Sequence, residues 1–585
     1  MRKINWLFVG LMAGAFGACS SEGTRGDAEE DSGQLSLAIT SVPSDVACVT
    51  VSAKGSRTVT QSFDVTPGSP TTYALNKLPL GIISVSAEAF PQACKKVPVG
   101  STPSYVTDVP VTVRVDPLVV NTIILNLIRN GRIGVGIDFE ASPQAYLVPV
   151  ASGVTTTVLL TVGESVNAGP NGSPYRLAGL PDGLGAYDNG DGTFTLLLNH
   201  ELSSGGAVHA HGANGAFVSK WKIRKSDLTT LNGEDLIQNV AKFDPATATY
   251  LPPAQGNVFS RFCSADLAAP SAYYDVATST GYDGRLFTNG EETGAEGKAW
   301  AHDTSGTSWE LPRLGKASWE NIVANPGTGL QTVVVGLDDT TPGQVYVYVG
   351  TKTNTGSPVD RAGLTNGTLY GVAVTGVPAE PAATGIASGT AFTLASLGNV
   401  ETSTGAALDT ASTAAGVTRF NRPEDGAWDP AHPNDFYFVT TASFTTASRL
   451  WRLHFNDLSN LAAGGTIDML LDGSEGQKMF DNLTLDKKGH VYLQEDPGNN
   501  AHIAKVWRYT IATDTLTLIA QHNPTLFTSG SPQFLTQDEE SSGIVDASEI
   551  LGPGWFLLDV QGHYATDSEL VEGGQLLALY DPAAL

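Results

Sequence analysis

The strongest constraint on the fold is a pattern that recurs three times in the second part of the chain. In each copy an acidic residue is followed by a short step, an Asp-containing turn and an apolar strand. The copies read PDGLGAYDNGDGTFTLLL (181–198), PEDGAWDPAHPNDFYFV (423–439) and FDNLTLDKKGHVYL (480–493). Degenerate repeats of short strand pairs are typical of a β-propeller, in which each copy supplies two strands of one blade.

Composition and strand patterning define the rest of the predicted architecture. The chain has 585 residues with 64 Gly, 32 Pro and only 16% charged residues, which favours an all-β protein with many turns. We predict a six-bladed propeller domain over residues 140–585. Alternating stretches such as QLSLAIT, ACVTVSA and VTVRV predict a small β-sandwich spacer of about seven strands over residues 34–135.

The N-terminus has the pattern of an export signal. Basic residues at Arg2 and Lys3 precede an apolar run that ends near Phe16, which is too short for a membrane-spanning helix. The following AFGACSS resembles a bacterial lipoprotein processing site. It predicts a signal peptide over residues 1–18, lipidation of Cys19 and a flexible acidic tether over residues 19–33. An ordinary cleaved secretory signal is the alternative.

Charge and the residues after the cysteine bear on location and partners. No Asp follows Cys19, which is typical of lipoproteins sent to the outer membrane, so we expect an exported protein anchored there on its periplasmic or cell-surface face. The formal net charge of −26 argues against nucleic acids and anionic membrane surfaces as partners. We therefore expect membrane contact only through the lipid. We also expect a monomer.

The three remaining cysteines divide into a pair and a single residue. Cys48 and Cys94 lie in the same N-terminal segment, and in an oxidising compartment they can form a disulfide. Cys263 then has no partner. It is either a buried core residue or a ligand.

Strand-like runs in the second domain end repeatedly in acidic residues. Because the innermost strands of a propeller run beside its axis, acids at equivalent strand ends are expected to converge on one mouth of the channel. Converging carboxylates are costly without cations, and Ca²⁺ is bound by such oxygen ligands. The alternative for each is a solvated turn residue. The candidate ligands are Glu201, Glu291, Glu292, Asp338, Glu424, Asp481, Asn482, Glu495 and Asp496.

Arg422 lies two residues from Glu424, across a proline that fixes the backbone. A guanidinium beside metal ions is a good phosphate clamp because its fork of donors matches phosphate oxygens. A simple ion pair with Glu424 is the alternative. Asp425 either caps the turn or occupies the position of Asn482 in the neighbouring repeat.

The motifs in their order resemble those of the PhoX-type alkaline phosphatases over roughly residues 140–575. The motifs are NHE (199–201), FTNGEETGAEG (287–297), GLDD (336–339), GLTNGTLYGV (363–372), RPEDGAWDP (422–430), FDNLTLDKKGHVYLQED (480–496) and DVQGH (559–563). The resemblance implies a propeller whose mouth holds calcium and iron ions and hydrolyses phosphate esters. It assigns the catalytic roles to Arg422, which would hold the phosphate, and to Glu424 as a metal ligand.

The chain departs from this family at its cysteines. The family places a thiolate on iron, with Cys directly before the Glu pair and another Cys upstream. Gly290 occupies the first position here, while RFCSA (261–265) matches the second, which would make Cys263 an iron ligand. A second hypothesis is therefore a calcium-stabilised propeller that binds a surface ligand without turnover. A third is a hydrolase of lactones or phytate that uses calcium alone.

Overall fold

The computed structural model describes two parts of the chain. The first is residues 32–129 apart from 40–41, 43–45, 67–70, 99–100, 102, 108–110, 116–120 and 125–126, and the second is residues 144–585 apart from 167–173. The predicted signal peptide, Cys19 and most of the predicted tether lie outside the described residues. The chain divides into two units, residues 1–142 and 143–585. No helix among the described residues has the length and apolar character that a membrane crossing requires.

The N-terminal unit contains two β-sheets that share one core. The three-stranded sheet consists of Ser32–Ile39, Thr71–Pro79 and Asn121–Ile124. The other sheet consists of Cys48–Lys54, Thr58–Asp64, Gly81–Phe90, Tyr105–Thr107, Val111–Val115 and Leu127–Arg129. Apolar residues of both sheets, such as Leu37, Leu75, Val51 and Val85, pack in one cluster. The described residues thus form nine strands instead of about seven, because two segments of three residues also join the larger sheet.

The disulfide and the start of the first strand complete this unit. Cys48 and Cys94 are joined by a disulfide, and Cys94–Lys96 forms a 3₁₀ helix. The first strand begins at Ser32, so the last two residues of the predicted tether belong to the sandwich.

The C-terminal unit is a β-propeller with six blades within residues 144–585, as predicted. In each blade four successive strands pair antiparallel, and the innermost strands contact one another in sequence around a closed ring. Innermost first, the strands of blade 1 are Pro181–Asp188, Thr193–His200, Phe217–Arg224 and Thr230–Asp235. Those of blade 2 are Phe262–Asp266, Leu286–Glu291, Ala299–Asp303 and Thr307–Glu310, with Asn239–Ala241 outside. Those of blade 3 are Trp319–Ala324, Gln331–Asp338, Gly343–Thr351 and Thr368–Val374, with Thr390–Gly398 outside.

The other half of the ring includes the closure. Innermost first, the strands of blade 4 are Pro423–Trp428, Asp435–Thr440, Arg449–Phe455 and Gly465–Leu471. Those of blade 5 are Phe480–Leu485, His490–Glu495, Lys505–Thr510 and Thr515–His522, with Leu147–Pro149 outside. Those of blade 6 are Glu539–Asp546, Trp555–Ala565, Glu572–Tyr580 and Thr155–Thr161. The outermost strand of blade 6 thus comes from the start of the domain, and this pairing ties the two ends of the propeller together.

Short elements lie in the connections within and between the blades and at the C-terminus. The helices are Pro358–Arg361, Gly405–Ala414, Pro524–Phe527 and Ser548–Leu551, and the 3₁₀ turns are Pro270–Ala272, Gly294–Glu296, Pro312–Leu314, Leu461–Ala463, Ile511–Thr513 and Pro582–Ala584. Short strands outside the blades are Ser165–Val166 with Tyr175–Arg176, Phe243–Asp244 with Thr249–Tyr250, Tyr274–Asp275 with Thr280–Gly281, and Arg419–Phe420 beside Gly343–Thr351.

Packing between neighbouring blades holds the innermost strands in place. A separate apolar cluster fills each of the six interfaces between blades. The second strands are consequently buried on both faces, as in Thr193–His200 and Asp435–Thr440, in which every residue is buried. A strand that is covered on both faces carries apolar residues in succession, which explains runs such as TFTLLL and DFYFV.

Candidate metal centre

The innermost strands share a β-bulge that defines the centre. In blades 1 to 5 the pairing of the innermost with the second strand skips two residues after the first, as between Pro181 and Leu184 or Pro423 and Gly426. A bulge frees residues from the ladder and redirects their side chains. The first skipped residue is an acid in four blades and a cysteine in the other: Asp182, Cys263, Glu320, Glu424 and Asp481.

Blade 6 supplies its carboxylate from a different register. Its bulge lies between Ser541 and Ile544, so Ser542 occupies the first skipped position. The Ser542 hydroxyl donates a hydrogen bond of 2.6 Å to Glu540, which lies two residues earlier. Glu540 thereby completes the ring that the other five blades form.

A second set of carboxylates comes from the residue after the end of the second strand. In each case the acidic residue directly follows the second-strand residue that pairs with the first residue of the innermost strand. These acidic residues are Glu201, Glu292, Asp339 and Asp496. Because successive side chains of an extended chain point in opposite directions, one residue of each strand-end pair faces the mouth and its neighbour turns away. The mouth therefore receives Glu292 and Asp496 instead of Glu291 and Glu495.

Apart from Asp339, these acidic residues and Cys263 form four overlapping groups, and within each group the potential ligand atoms lie within 4.8 Å of one another. The groups are Asp182–Glu201–Cys263, Cys263–Glu292–Glu320, Glu320–Glu424–Asp481 and Asp481–Asp496–Glu540. Eight carboxylates and one thiol therefore follow one another around the axis. Oxygen-rich groups of this kind suit Ca²⁺, and a thiolate among carboxylates also suits an iron ion.

The pKa values of the ring carboxyls show how the metal-free protein accommodates their negative charge. Burial raises the pKa of Asp182, Glu320, Glu424 and Asp481 well above the usual range, and neighbouring carboxylates add to the effect. Burial raises the pKa of Glu292 to about 7. In the absence of cations these five carboxyls therefore keep their protons to a higher pH than usual, and a donor set of this composition fits positive ions.

Three cationic side chains lie beside the ring. Arg422 donates from Nε and Nη2 to the two oxygens of Asp339 at 2.9 and 2.7 Å, and its Nη2 lies 2.7 Å from Glu424. Arg261 pairs through Nη2 with Glu201 at 2.6 Å and forms a close ion pair with Glu292.

His563 is the third cation. Its Nδ1 lies 2.7 Å from Glu572 and its Nε2 3.5 Å from Glu540. Burial lowers the pKa of His563, but the hydrogen bonds with Glu540 and Glu572 outweigh this and raise it to about 11. These three cations are outnumbered by the eight carboxylates of the ring.

Cys263 is buried and held by a polar network. Its thiol donates to Glu292 Oε2 at 3.1 Å, and burial raises its pKa well above the usual range, with further contributions from Glu201 and Glu292. Asn199 Nδ2 donates to the Cys263 carbonyl at 2.6 Å, and Asn289 Nδ2 donates to Asn199 Oδ1 at 2.8 Å. This network fixes the strand on which the thiol stands.

The second skipped residues form a layer of hydrogen bonds next to the ring. Asn321 Nδ2 donates to Asp425 Oδ1 at 2.5 Å, and Asn482 Nδ2 donates to the Ser264 hydroxyl. Asp425 also accepts from the Gly426 amide at 2.6 Å, so it both caps the bulge and occupies the position equivalent to Asn482. This layer joins neighbouring innermost strands beside the ligands.

Four predicted ligands lie outside the groups. Glu495 is held by His502 at 2.7 Å and Trp507 Nε1 at 2.8 Å, and Asp338 accepts from the Ser318 amide at 3.1 Å. Glu291 accepts from the Ser260 amide at 3.3 Å, and Asn482 belongs to the hydrogen-bonded layer. Strand register explains why the three acids lie outside the groups. Each is the last residue of its strand, and its side chain turns away from the mouth. Six other predicted ligands are brought together: Glu201, Cys263, Glu292, Glu424, Asp481 and Asp496.

The structure also places residues in the centre that the sequence reasoning did not select: Asp182, Glu320, Asp339, Glu540, Arg261 and His563. The available signal was the start of each innermost strand, which reads PDG, FCS, WEN, PED and FDN in blades 1 to 5. Alignment on these three letters would have found Asp182 and Glu320. Glu540 is displaced by the different register of blade 6.

Gly290 is a position that no side chain can fill. A Cβ atom there would lie 2.2 Å from the Cβ of Trp319, which is fully buried. The indole of Trp319 thus excludes a cysteine in front of the Glu291–Glu292 pair. Any thiolate ligand from the described residues must come from Cys263, since it is the free cysteine among them.

Comparison with known proteins gives a fold and no family assignment. No protein-family model matches the chain, and no curated protein matches it. The structure of Pseudomonas fluorescens PhoX in complex with vanadate, a transition state analogue, is similar with a TM-score of 0.54 and 13% identity, over 75% of this chain and 97% of that one. A mutant of the NanB sialidase from Streptococcus pneumoniae has a TM-score of 0.31 and 8% identity, over 95% of this chain and 96% of that one. This protein therefore has a PhoX-like propeller fold.

Proposed function

We propose that this protein is a metal-dependent phosphatase of the PhoX type, which hydrolyses phosphate esters at a calcium and iron centre in the propeller mouth. We further propose that it is exported as a monomer and held at the outer membrane by a lipid on Cys19. The observation that carries the enzymatic part is the joint placement of the carboxylate ring and the Arg422 guanidinium.

The carboxylates and Cys263 would hold the cations. Glu320, Glu424 and Asp481 offer oxygen atoms on one side of the ring, and Cys263 offers its sulfur between Glu201 and Glu292. Metal ions bound there would supply an activated oxygen nucleophile and neutralise charge on the transferred phosphoryl group. Asp182 and Glu424 are themselves nearly inaccessible to solvent.

Arg422 would bind the phosphate. Two of its nitrogens are fixed by Asp339, so the plane of the guanidinium is oriented before substrate arrives. Side-chain exposure of 27% leaves part of the fork accessible from the mouth. Nη1 takes no part in these contacts and can donate hydrogen bonds to phosphate oxygens.

The test is hydrolysis of p-nitrophenyl phosphate by purified protein supplied with Ca²⁺ and iron, beside the Arg422→Ala/Glu424→Gln variant. Loss of one preorganised donor to the transition state costs on the order of 10²–10³-fold in rate, and the loss of Glu424 adds to this. Equal, background-level rates for both proteins would refute the proposal.

A second candidate function is a calcium-stabilised propeller that binds a ligand without turnover. It is favoured by Gly290, where Trp319 excludes the cysteine that the phosphatase family carries. This candidate predicts that chelation destabilises the protein although no ester is hydrolysed. Metal analysis separates the two, because iron is expected only in the phosphatase; calcium alone would also suit a hydrolase of lactones or phytate.

A further inference from the structure

Arg261 in blade 2 and Arg422 in blade 4 occupy equivalent positions. Each directly precedes the first residue of an innermost strand and lies two residues before the first skipped residue of the bulge. Both have left-handed backbone conformations, with φ of 47° and 60°. Leu180 and Met479 precede the innermost strands of blades 1 and 5 with the same conformation, at φ of 51° and 44°.

The left-handed backbone conformation at this position recurs between blades, whereas the side chain differs from blade to blade. A left-handed backbone is unfavourable for a residue other than glycine, yet four blades retain it. In blades 1 and 5 the residue is apolar, as Leu180 and Met479 show. The fold therefore does not require a guanidinium at this position, and its presence in blades 2 and 4 calls for a chemical reason.

The contacts of Arg261, which include a hydrogen bond with the Cys263 side chain, leave part of its hydrogen-bonding capacity open. Both of its ion pairs, with Glu201 and Glu292, use Nη2, and 44% of its side chain is exposed. Arg422 is more deeply held, with two nitrogens on carboxylates and 27% exposure. A guanidinium carries five N–H donors, so Arg261 can present a pair of them to an anion in the mouth.

Cation binding would also compete for the present partners of Arg261. Glu201 belongs to one potential ligand group and Glu292 to the next, and Cys263 is common to both. Oxygens that bind a cation are weaker partners for the guanidinium. Arg261 would then be available to substrate on the side of the ring nearest Cys263.

We infer that Arg261 is a second phosphate-binding residue, which acts with Arg422 on the same phosphoryl group. This inference rests on the proposed phosphatase function.

The rival explanation is that Arg261 only neutralises Glu201 and Glu292. The Arg261→Lys variant separates the two, since lysine keeps the charge but loses the bidentate fork. A matched control is Arg176→Ala, because Arg176 forms a partly exposed ion pair with Asp567 at 3.0 Å outside the ring.

The experiment measures calorimetric binding of inorganic phosphate to the metal-replete protein, with metal content and steady-state kinetics for each variant. Hydrogen bonds to charged groups contribute roughly 1.5–3 kcal/mol, so Arg261→Lys is expected to weaken phosphate binding and raise KM for a monoester by about 10- to 100-fold. Metal content should stay unchanged. Arg176→Ala should match the native protein in all three measurements.

Native-like phosphate binding by Arg261→Lys, or loss of metal from that variant, would overturn the inference in favour of a neutralising role. Absence of phosphate binding by the native protein would overturn it as well. If the native protein hydrolyses no ester but binds phosphate through Arg261, the proposed hydrolysis fails while the binding site stands. If hydrolysis is observed and Arg261→Lys is kinetically native, the phosphatase stands and the inference fails.

Discussion

Removal of bound cations should make the stability of the propeller fall as pH rises. Burial raises the pKa of Glu292 and Asp496 to about 7 each in the metal-free fold, with further contributions from Glu201 and Glu540. A folded-state pKa above the unfolded value means that the folded protein binds more protons between the two values. The resulting stability is complete near pH 4 and is lost as pH rises to about 7.

The magnitude follows from the size of these two pKa changes. A difference of one pH unit between folded and unfolded pKa corresponds to 1.36 kcal/mol, so Glu292 and Asp496 each account for about 3–4 kcal/mol between pH 4.5 and pH 8. Bound Ca²⁺ stabilises the ionised carboxylates and should abolish this loss. Calcium is therefore expected to stabilise the protein far more at pH 8 than at pH 4.5.

The assay is urea unfolding, followed by tryptophan fluorescence, in chelator and in Ca²⁺ at pH 4.5, 6 and 8. The Glu292→Gln/Asp496→Asn variant should lose the part of the pH dependence in chelator that these two carboxyls contribute, whereas the other buried ring carboxyls keep theirs. Glu549→Gln is the matched control, because Glu549 is an exposed surface residue with 78% of its side chain accessible. Constant or rising stability of the chelated native protein over this pH range would refute the electrostatic reasoning.

Three further predictions concern single positions. Gly290→Ala should destabilise the protein by about 1–3 kcal/mol in urea unfolding, because the new Cβ meets Trp319; an unchanged midpoint would contradict this. Cys263→Ser should abolish iron binding and retain calcium, as measured by metal analysis, and iron retained in the variant would contradict the ligand assignment. Arg449→Met should cost about 3–5 kcal/mol because it leaves the buried Glu380 carboxylate, 2.6 Å away, without its partner, and Glu380→Gln in the same chain should restore part of the loss; equal single and double variants would refute it.

The propeller could be predicted from the sequence because its repeats keep the acidic residue, the Asp turn and the strand in order. Pro181–Asp188, Pro423–Trp428 and Phe480–Leu485 each begin a predicted strand pair and each begin a blade. The repeat could not be recognised in blade 2, because an insertion separates its first two strands. The innermost strand ends at Asp266 and the second strand begins at Leu286.

The ligand set could be predicted only in part, because register decides which of two adjacent acids faces the mouth. Glu495 and Asp496 are equivalent in the sequence, yet a one-residue difference sends them to opposite faces of the strand. Glu320 was missed because WEN does not stand in a recognisable copy of the repeat. Arg261 was missed because its equivalence to Arg422 depends on the shared bulge and backbone conformation.

The existence of a metal centre is tested most directly by the metal content of the native protein after exhaustive dialysis, measured by mass spectrometry beside the Glu320→Gln/Asp481→Asn variant. We predict that the native protein retains calcium and iron, and that the variant, while still folded by circular dichroism, loses most of its calcium. A folded native protein that retains neither metal, or a variant with native metal content, would contradict the assignment of the carboxylate ring as a metal centre.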